Sequence, residues 1–301
     1  MHNGLLYLVT VLIWGSTWLA IKYQLGIVAP EISIAYRFTL AAAILFIFSF
    51  VRRLPLRFNL RTHGFMILQG LLLFSLNYIM VYLAESYLPS GLVAIIFSMI
   101  IIMNVIFGAI FLHNPVRLHV VLGASVGLFG LTMVFWPELS AFDFSSERAL
   151  GMALAFIGAI FASLGNITSA RNQRHGLPIV QTNAYGMAYG ALFMLVLALF
   201  RGTKLDFDPS LEYVVSLLFL AIFGSVVAFG SYLTLLGRIG PDQVAYITIL
   251  FPIIALMLST IFENITWSIS QLAGIATVIL GNAIVLINFL KLKLPKRLKG
   301  V

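Results

Sequence analysis

The sequence predicts an all-α polytopic membrane protein, with ten transmembrane helices in two inverted five-helix repeats. Three observations carry that prediction. Ten mostly apolar stretches alternate with short polar breaks, and about 20 residues at 1.5 Å of rise each suffice to cross a hydrocarbon core of roughly 30 Å. The 301 residues are 61% hydrophobic and 9% charged, where a soluble domain carries roughly 25% charge. A glycine pair also recurs with the same internal separation in two of the stretches, as Gly123 and Gly130 and again as Gly274 and Gly281.

The first stretch, 5–22, has no cationic region before it and runs on past Trp14. It therefore reads as a retained span and not a cleaved signal peptide. The others follow at 32–51, 64–84, 90–111, 118–136, 149–170, 178–200, 211–235, 242–262 and 268–290. The breaks between them are short and marked by Pro, Gly or charge, as at Ala29-Pro30-Glu31, Leu88-Pro89-Ser90-Gly91, His175-Gly176-Leu177-Pro178 and Gly240-Pro241-Asp242. Lipid cannot satisfy an open backbone, so such breaks leave helical hairpins.

Charge sets the expected orientation. With both termini inside, the cytoplasmic loops hold Arg52, Arg53, Arg57, Arg61, Arg117, Arg171, Arg174, Arg238, Lys291, Lys293, Lys296, Arg297 and Lys299. The outer loops hold Lys22, Arg148, Arg201 and Lys204, and Arg37 lies inside the second span. Cytoplasmic loops concentrate Lys and Arg, so the bias predicts cytoplasmic termini and a basic cytoplasmic tail over 291–301. The same bias accounts for the net charge of +8. Nucleic acid is not an expected partner, because no basic face with interleaved aromatics lies outside the spans.

The halves resemble each other beyond the glycines. Tyr87-Leu88-Pro89 precedes the fourth span as Ile239-Gly240-Pro241 precedes the ninth. Gly123-x-x-x-Gly127 adds a spacing that lets two backbones approach closely. Five spans per half is odd, so the second half enters the membrane from the opposite side, as in many secondary transporters.

Trp14-Gly15-Ser16-Thr17-Trp18-Leu19-Ala20-Ile21-Lys22 resembles the opening motif of EamA-type transporters of the drug/metabolite transporter superfamily. Ala35-Tyr36-Arg37-Phe38 resembles that family's second-span motif. The resemblance covers two tandem units, 4–136 and 149–288. The chain departs from the family pattern at His113-Asn114 and Glu263-Asn264, where the family often has Gly-Glu, and at Leu164-Gly165-Asn166, a degraded opening motif. The resemblance implies a ten-helix transporter with a central cavity, exporting or exchanging small metabolites.

Polar side chains inside a span are costly unless they face protein or water, which makes them the candidates for a substrate cavity. In the first span Thr10, Trp14, Trp18 and Lys22 recur every fourth residue and share one helical face. Tyr78, Tyr82 and Glu85 share a face of the third span, beside Asn77. Ser98 and Asn104 in the fourth span, Asn166 in the sixth, Ser225 and Tyr232 in the eighth and Tyr246 in the ninth complete the cavity set. Lys22, Arg37 and Glu85 fall toward the outer side as an expected outer gate, the alternative being separate charges at the interface. Pro252 removes a helix hydrogen bond and is the candidate hinge.

Several functions are excluded or disfavoured. There are no cysteines, so disulfides, thiolate metal sites and cysteine nucleophiles are absent. No cofactor is expected. No HExxH, GxSxG or aspartate pair lies in a span, which argues against an enzyme. No charged ring or filter-like loop suggests a channel. All ten acids and all five histidines lie at span ends or in loops, so a facilitator or exchanger is favoured over a proton antiporter. The expected substrates are amino acids or similar amphipathic metabolites; efflux of hydrophobic cations is the alternative. The expected partners are that small-molecule substrate and the bilayer, with oligomeric state left open.

Overall fold

The structure, a computed structural model, describes residues 3–116, 118–134, 136, 147–239, 244, 247–262 and 267–293. Among these there is no strand. The helices are α1 (Asn3–Lys22), α2 (Pro30–Val51), α3 (Leu60–Glu85), α4 (Ser90–Leu112), α5 (Leu118–Val134), α6 (Glu147–Arg174), α7 (Ile179–Phe200), α8 (Leu211–Arg238), α9 (Ile247–Phe262) and α10 (Ile269–Lys293). Seven of them, α1 to α4 and α6 to α8, are long and apolar enough to cross a membrane; α5 and α10 contain the shorter apolar stretches Val121–Val134 and Ile269–Gly281. The protein is thus a multi-pass membrane protein.

Local chemistry sets the ends. Pro30 opens α2, and Pro89 and Pro178 directly precede α4 and α7, positions where a missing N–H costs nothing. α3 starts at Leu60, before the predicted 64, because Asn59 Oδ1 accepts from Thr62 N at 2.8 Å and caps an extra turn. α2, α4, α6 and α7 all end on a residue in the left-handed region (Arg53, His113, Gly176 and Gly202). After Arg53, Gly176 and Gly202 the next N–H bonds five residues back, as in Leu54 to Ser49 at 2.8 Å and Thr203 to Ala198 at 2.9 Å, and after His113 it bonds six back, Asn114 to Gly108 at 3.1 Å. This closure satisfies carbonyls that the helix would otherwise leave bare.

Two helices change pitch inside the membrane. α3 is π-helical over Leu72–Leu76 and α8 over Leu220–Val227. In each, a serine hydroxyl donates to the carbonyl five residues earlier: Ser75 to Gly70 at 3.2 Å and Ser225 to Leu220 at 2.9 Å. Wider turns of this kind misalign the backbone ladder and are frequent at functional sites.

The helices pack as α1 on α8 and α9, α6 on α3 and α4, α2 on α7 and α8, α3 on α7, α4 on α9, and α5 on α10. The recurrent glycines explain the last pair. A Cβ at Gly130 would lie 2.6 Å from Val278 N, and one at Gly274 would lie 2.7 Å from both Gly130 O and Val134 N. Gly281 abuts Gly123 and Gly127 in the same way. Gly130 thus faces Gly274 and Gly123 faces Gly281, so the two helices run antiparallel, backbone against backbone. At the other side Glu31, at the start of α2, accepts from Thr203 at 2.8 Å and pairs with Arg201 at 3.6 Å past the end of α7. Arg201 is 56% exposed, so that pair orients the helix ends more than it stabilises them.

Candidate functional site

A cavity lies among α1, α3, α4, α6, α8 and α9. Its wall is Trp14, Thr17, Trp18 and Ile21 from α1; Leu73, Asn77, Tyr78 and Val81 from α3; Phe97 and Ile100 from α4; Ala162 and Asn166 from α6; Phe229 and Tyr232 from α8; and Phe251 from α9. Centres of water-sized spheres fill about 60 Å³ of it, room for a few waters.

Seven of the fifteen wall residues are aromatic, and their rings brace one another. Trp14 meets Tyr232 at 4.7 Å and Phe229 at 5.0 Å between ring centroids, and Trp18 meets Phe97 at 5.3 Å and stacks on Phe251 at 5.6 Å. Contacts of this geometry are worth about 1 kcal/mol each beyond area burial. The Trp14 indole N–H donates to Gly224 O at 3.2 Å, inside the π-helical part of α8. A Cβ on Gly224 would approach Thr17 Cγ2 to 2.9 Å and Arg37 Nη2 to 3.2 Å, so glycine lets α8 close on α1 here. In α4 the helix loosens at Ser98-Met99, which aims the flanking Phe97 and Ile100 at the cavity.

The predicted residues divide by place. Trp14, Trp18, Asn77, Tyr78, Asn166 and Tyr232 line the cavity. Asn77 also donates to Leu73 O at 3.2 Å. Asn104 is buried one layer behind, where its Oδ1 accepts from Ser163 Oγ at 2.8 Å near Tyr232. Ser98 is turned onto its own helix, donating to Ile95 O at 2.6 Å. Tyr82 is fully buried and donates to Gln24 Oε1 at 2.7 Å. Ser225 serves the π-turn of α8 and accepts from Arg37. Tyr246 lies outside the described residues. Pro252 sits in the first half of α9, which is one helix through it.

Of the three residues expected at an outer gate, Lys22 and Glu85 meet at the end of α3, and Arg37 lies apart from that contact on Ser225 and Tyr78. The Lys22 ammonium donates to the backbone carbonyls of Glu85 and Leu88, where it caps the end of α3 and opposes the negative pole of its dipole. Glu85 is fully buried there. Arg37 is turned toward the cavity. Its Nε donates to Ser225 Oγ at 3.0 Å and its Nη2 to Tyr78 OH at 3.4 Å, with the guanidinium 4.5 Å from the Tyr78 ring centroid. Arg37 is 1% exposed. The long reach of its side chain brings it from the N-terminal half of α2 to the back of the cavity wall.

Residues that sequence reasoning passed over include Phe97, Phe229 and Phe251. With 25 phenylalanines in the chain, no local signal separates a cavity ring from a lipid-facing one. Thr17 was legible, since it lies between the two tryptophans of the stripe.

A bundle of membrane-spanning helices whose interior polar groups converge on an aromatic-lined cavity has the architecture of a carrier. The chain belongs to the EamA-like transporter family, whose model matches residues 3–136 and 149–287. It is therefore a membrane transporter and not an enzyme. It is 27% identical to the uncharacterized inner membrane transporter YedA of Escherichia coli, over 95% of this chain and 90% of that one. It is 26% identical to the transporter YvbV of Bacillus subtilis, over 95% and 92%, and 23% identical to the protein PagO of Salmonella typhimurium, over 92% and 90%. A solved crystal structure, 19% identical, superposes with a TM-score of 0.73 across 97% of this chain and 98% of its own, and so shares the fold.

Proposed function

We propose that the protein is a secondary transporter of the cell membrane that exports or exchanges amino acids or related amphipathic metabolites. One observation carries the reading: the cavity is apolar and aromatic, yet one donor in its wall and one cationic donor behind it are unspent. Trp18 Nε1 in the wall and Arg37 Nη1 behind it are buried without an acceptor among the described residues. A donor left so costs about 1–3 kcal/mol, which a carboxylate brought in by the substrate would recover. An ammonium on the same substrate would rest on an indole or phenol face. A hydrophobic cation leaves those donors unspent and meets no acid in the wall.

Transport proceeds by alternating access between two inverted five-helix units, 4–136 and 149–288, each supplying five of ten spans. Matched features support that arrangement. The π-turns of α3 and α8 each carry a serine back-bonded five residues earlier, and α2 and α7 share one closing turn. The pairs α1–α8, α1–α9 and α2–α8 have counterparts in α6–α3, α6–α4 and α7–α3. The cavity's about 60 Å³ is below the roughly 300 Å³ at which ligand pockets begin, so a substrate enters when the two units part at one side.

Counterflow in proteoliposomes tests the function. A panel of labelled amino acids is expected to exchange against unlabelled substrate without electrical conductance, and the corresponding methyl esters are expected to lose exchange. Equal exchange of acid and ester overturns the carboxylate reading, and conductance without counterflow overturns the carrier. Both termini are placed in the cytoplasm. Because the native chain has no cysteine, single cysteines report sides cleanly. Lys204→Cys is expected to react with an impermeant maleimide in whole cells, and Arg57→Cys only after lysis. The reverse pattern inverts the orientation.

A further inference from the structure

We infer that the protein carries a second site, remote from the cavity, that binds an anionic phospholipid between α3, α4 and α6. A groove of about 290 Å³ opens there. Phe65, Leu68, Leu72, Phe111 and Ile167 supply apolar wall, and Arg171 stands at one end. Leu68 and Phe111 are 40% and 60% exposed, so the groove is open to the side that lipid occupies. From Arg171 to Leu164, both in its wall, is seven residues or about 10 Å along the helix. That depth takes the first part of an acyl chain whose headgroup lies level with Arg171.

The headgroup end is built. The Arg171 guanidinium carbon lies over the Phe65 ring, 3.3 Å from its centroid, and the group donates to Asn172 Oδ1 at 3.3 Å. Asn172 is held by a buried chain: its Nδ2 donates to Gln69 Oε1 at 3.0 Å, and Gln69 Nε2 donates to Asn183 Oδ1 at 3.2 Å. Arg61 is close enough to act on Arg171 as a like charge. Arg174, one turn on, is fixed to Leu112 O at 3.0 Å and Asn114 Oδ1 at 2.6 Å.

Among the described residues no carboxylate neutralises this cluster. The adjoining connections 52–59, 113–117 and 175–178 contain no Asp or Glu. Among the described residues none of Arg61, Arg171 and Arg174 has a carboxylate within ion-pairing distance. A guanidinium fixed at the rim of an apolar groove, with a second cation, Arg61, one helical turn before Phe65 on α3, selects a ligand with a negative head and an apolar tail. A phospholipid with an anionic headgroup is that ligand, and basic pockets between spans at the cytoplasmic face suit such heads. The leaflet is the cytoplasmic one under the orientation proposed above; the site itself does not depend on the transport reading.

Native mass spectrometry of the full chain in detergent, titrated with phosphatidylglycerol or with phosphatidylcholine of the same acyl chains, tests this. Phosphatidylglycerol is expected to be retained preferentially, by about fivefold per guanidinium. Arg61→Gln alone, at an exposed position, should reduce the preference, and adding Arg171→Gln should erase it. Lys204→Gln, outside the groove, should leave it intact. Leu68→Trp, which fills the groove with both charges kept, should weaken retention of either lipid. Equal retention of the two lipids, or a preference unchanged by Arg61→Gln, overturns the site. Displacement of the lipid by inorganic phosphate would make it a free-anion site and overturn the lipid assignment.

Discussion

Gly130→Leu is expected to prevent α5 from docking on α10 and to abolish recovery of a monodisperse protein. A single Cβ at Gly130 already falls 2.6 Å from Val278 N and 2.7 Å from Gly274 O, and backbone atoms cannot turn aside as a side chain does. The helices must separate, giving up the close contact that holds them where there is no hydrophobic drive between spans. The cost is about 3 kcal/mol or more. Gly127→Ala is the matched control, because a Cβ there meets nothing within 4 Å. Fluorescence size-exclusion and thermal unfolding would read both. A Gly130→Leu protein as stable as Gly127→Ala would show that α5 and α10 do not pack through their glycines.

The second large effect falls on transport with the fold kept. Asn166 is 3% exposed and lines the cavity. Asn166→Leu keeps the branched shape, somewhat enlarged, and removes the polar group, and should raise the half-saturating concentration for exchange about tenfold, the worth of one hydrogen bond to a charged group. Trp14→Phe should act differently. It keeps a ring against Phe229 and Tyr232 but loses the indole bond to Gly224 O, so α1 loosens from α8 and maximal exchange falls more than affinity. Exchange kinetics in proteoliposomes, with unfolding temperature as the check on integrity, separates the two. If neither variant changes any exchange parameter, the cavity is not on the substrate's path.

The carboxylate reading turns on where Arg37 points. From sequence it grouped with Lys22 and Glu85 because all three fall near the same membrane face. Spatially Lys22 is engaged by carbonyls at the end of α3, whereas Arg37 reaches across to Ser225 and Tyr78 at the back of the cavity. A long side chain carries its charge several ångströms from its Cα, so depth in the sequence is a poor guide to depth of the guanidinium. Ser98, Tyr82 and Ser225 illustrate the same limit: each is polar and inside a span, yet their recorded bonds are to their own helix or to a neighbouring side chain. Position within a span shows that a polar group must be satisfied, but not by what.

What the sequence determined by itself is what depends on solvent and on period. The apolar lengths made the chain a membrane protein, and the i, i+4 stripe of Trp14 and Trp18 placed two indoles on one face. The paired glycines, moreover, marked two helices able to approach closely. What the tertiary structure alone decided is what depends on partners far apart in the chain. Gly130 meets Gly274, Arg37 finds Ser225, and Phe97, Phe229 and Phe251 face inward instead of toward lipid. In a membrane both sides of a helix can be apolar, so hydrophobicity does not say which side is inside; close packing against other helices does.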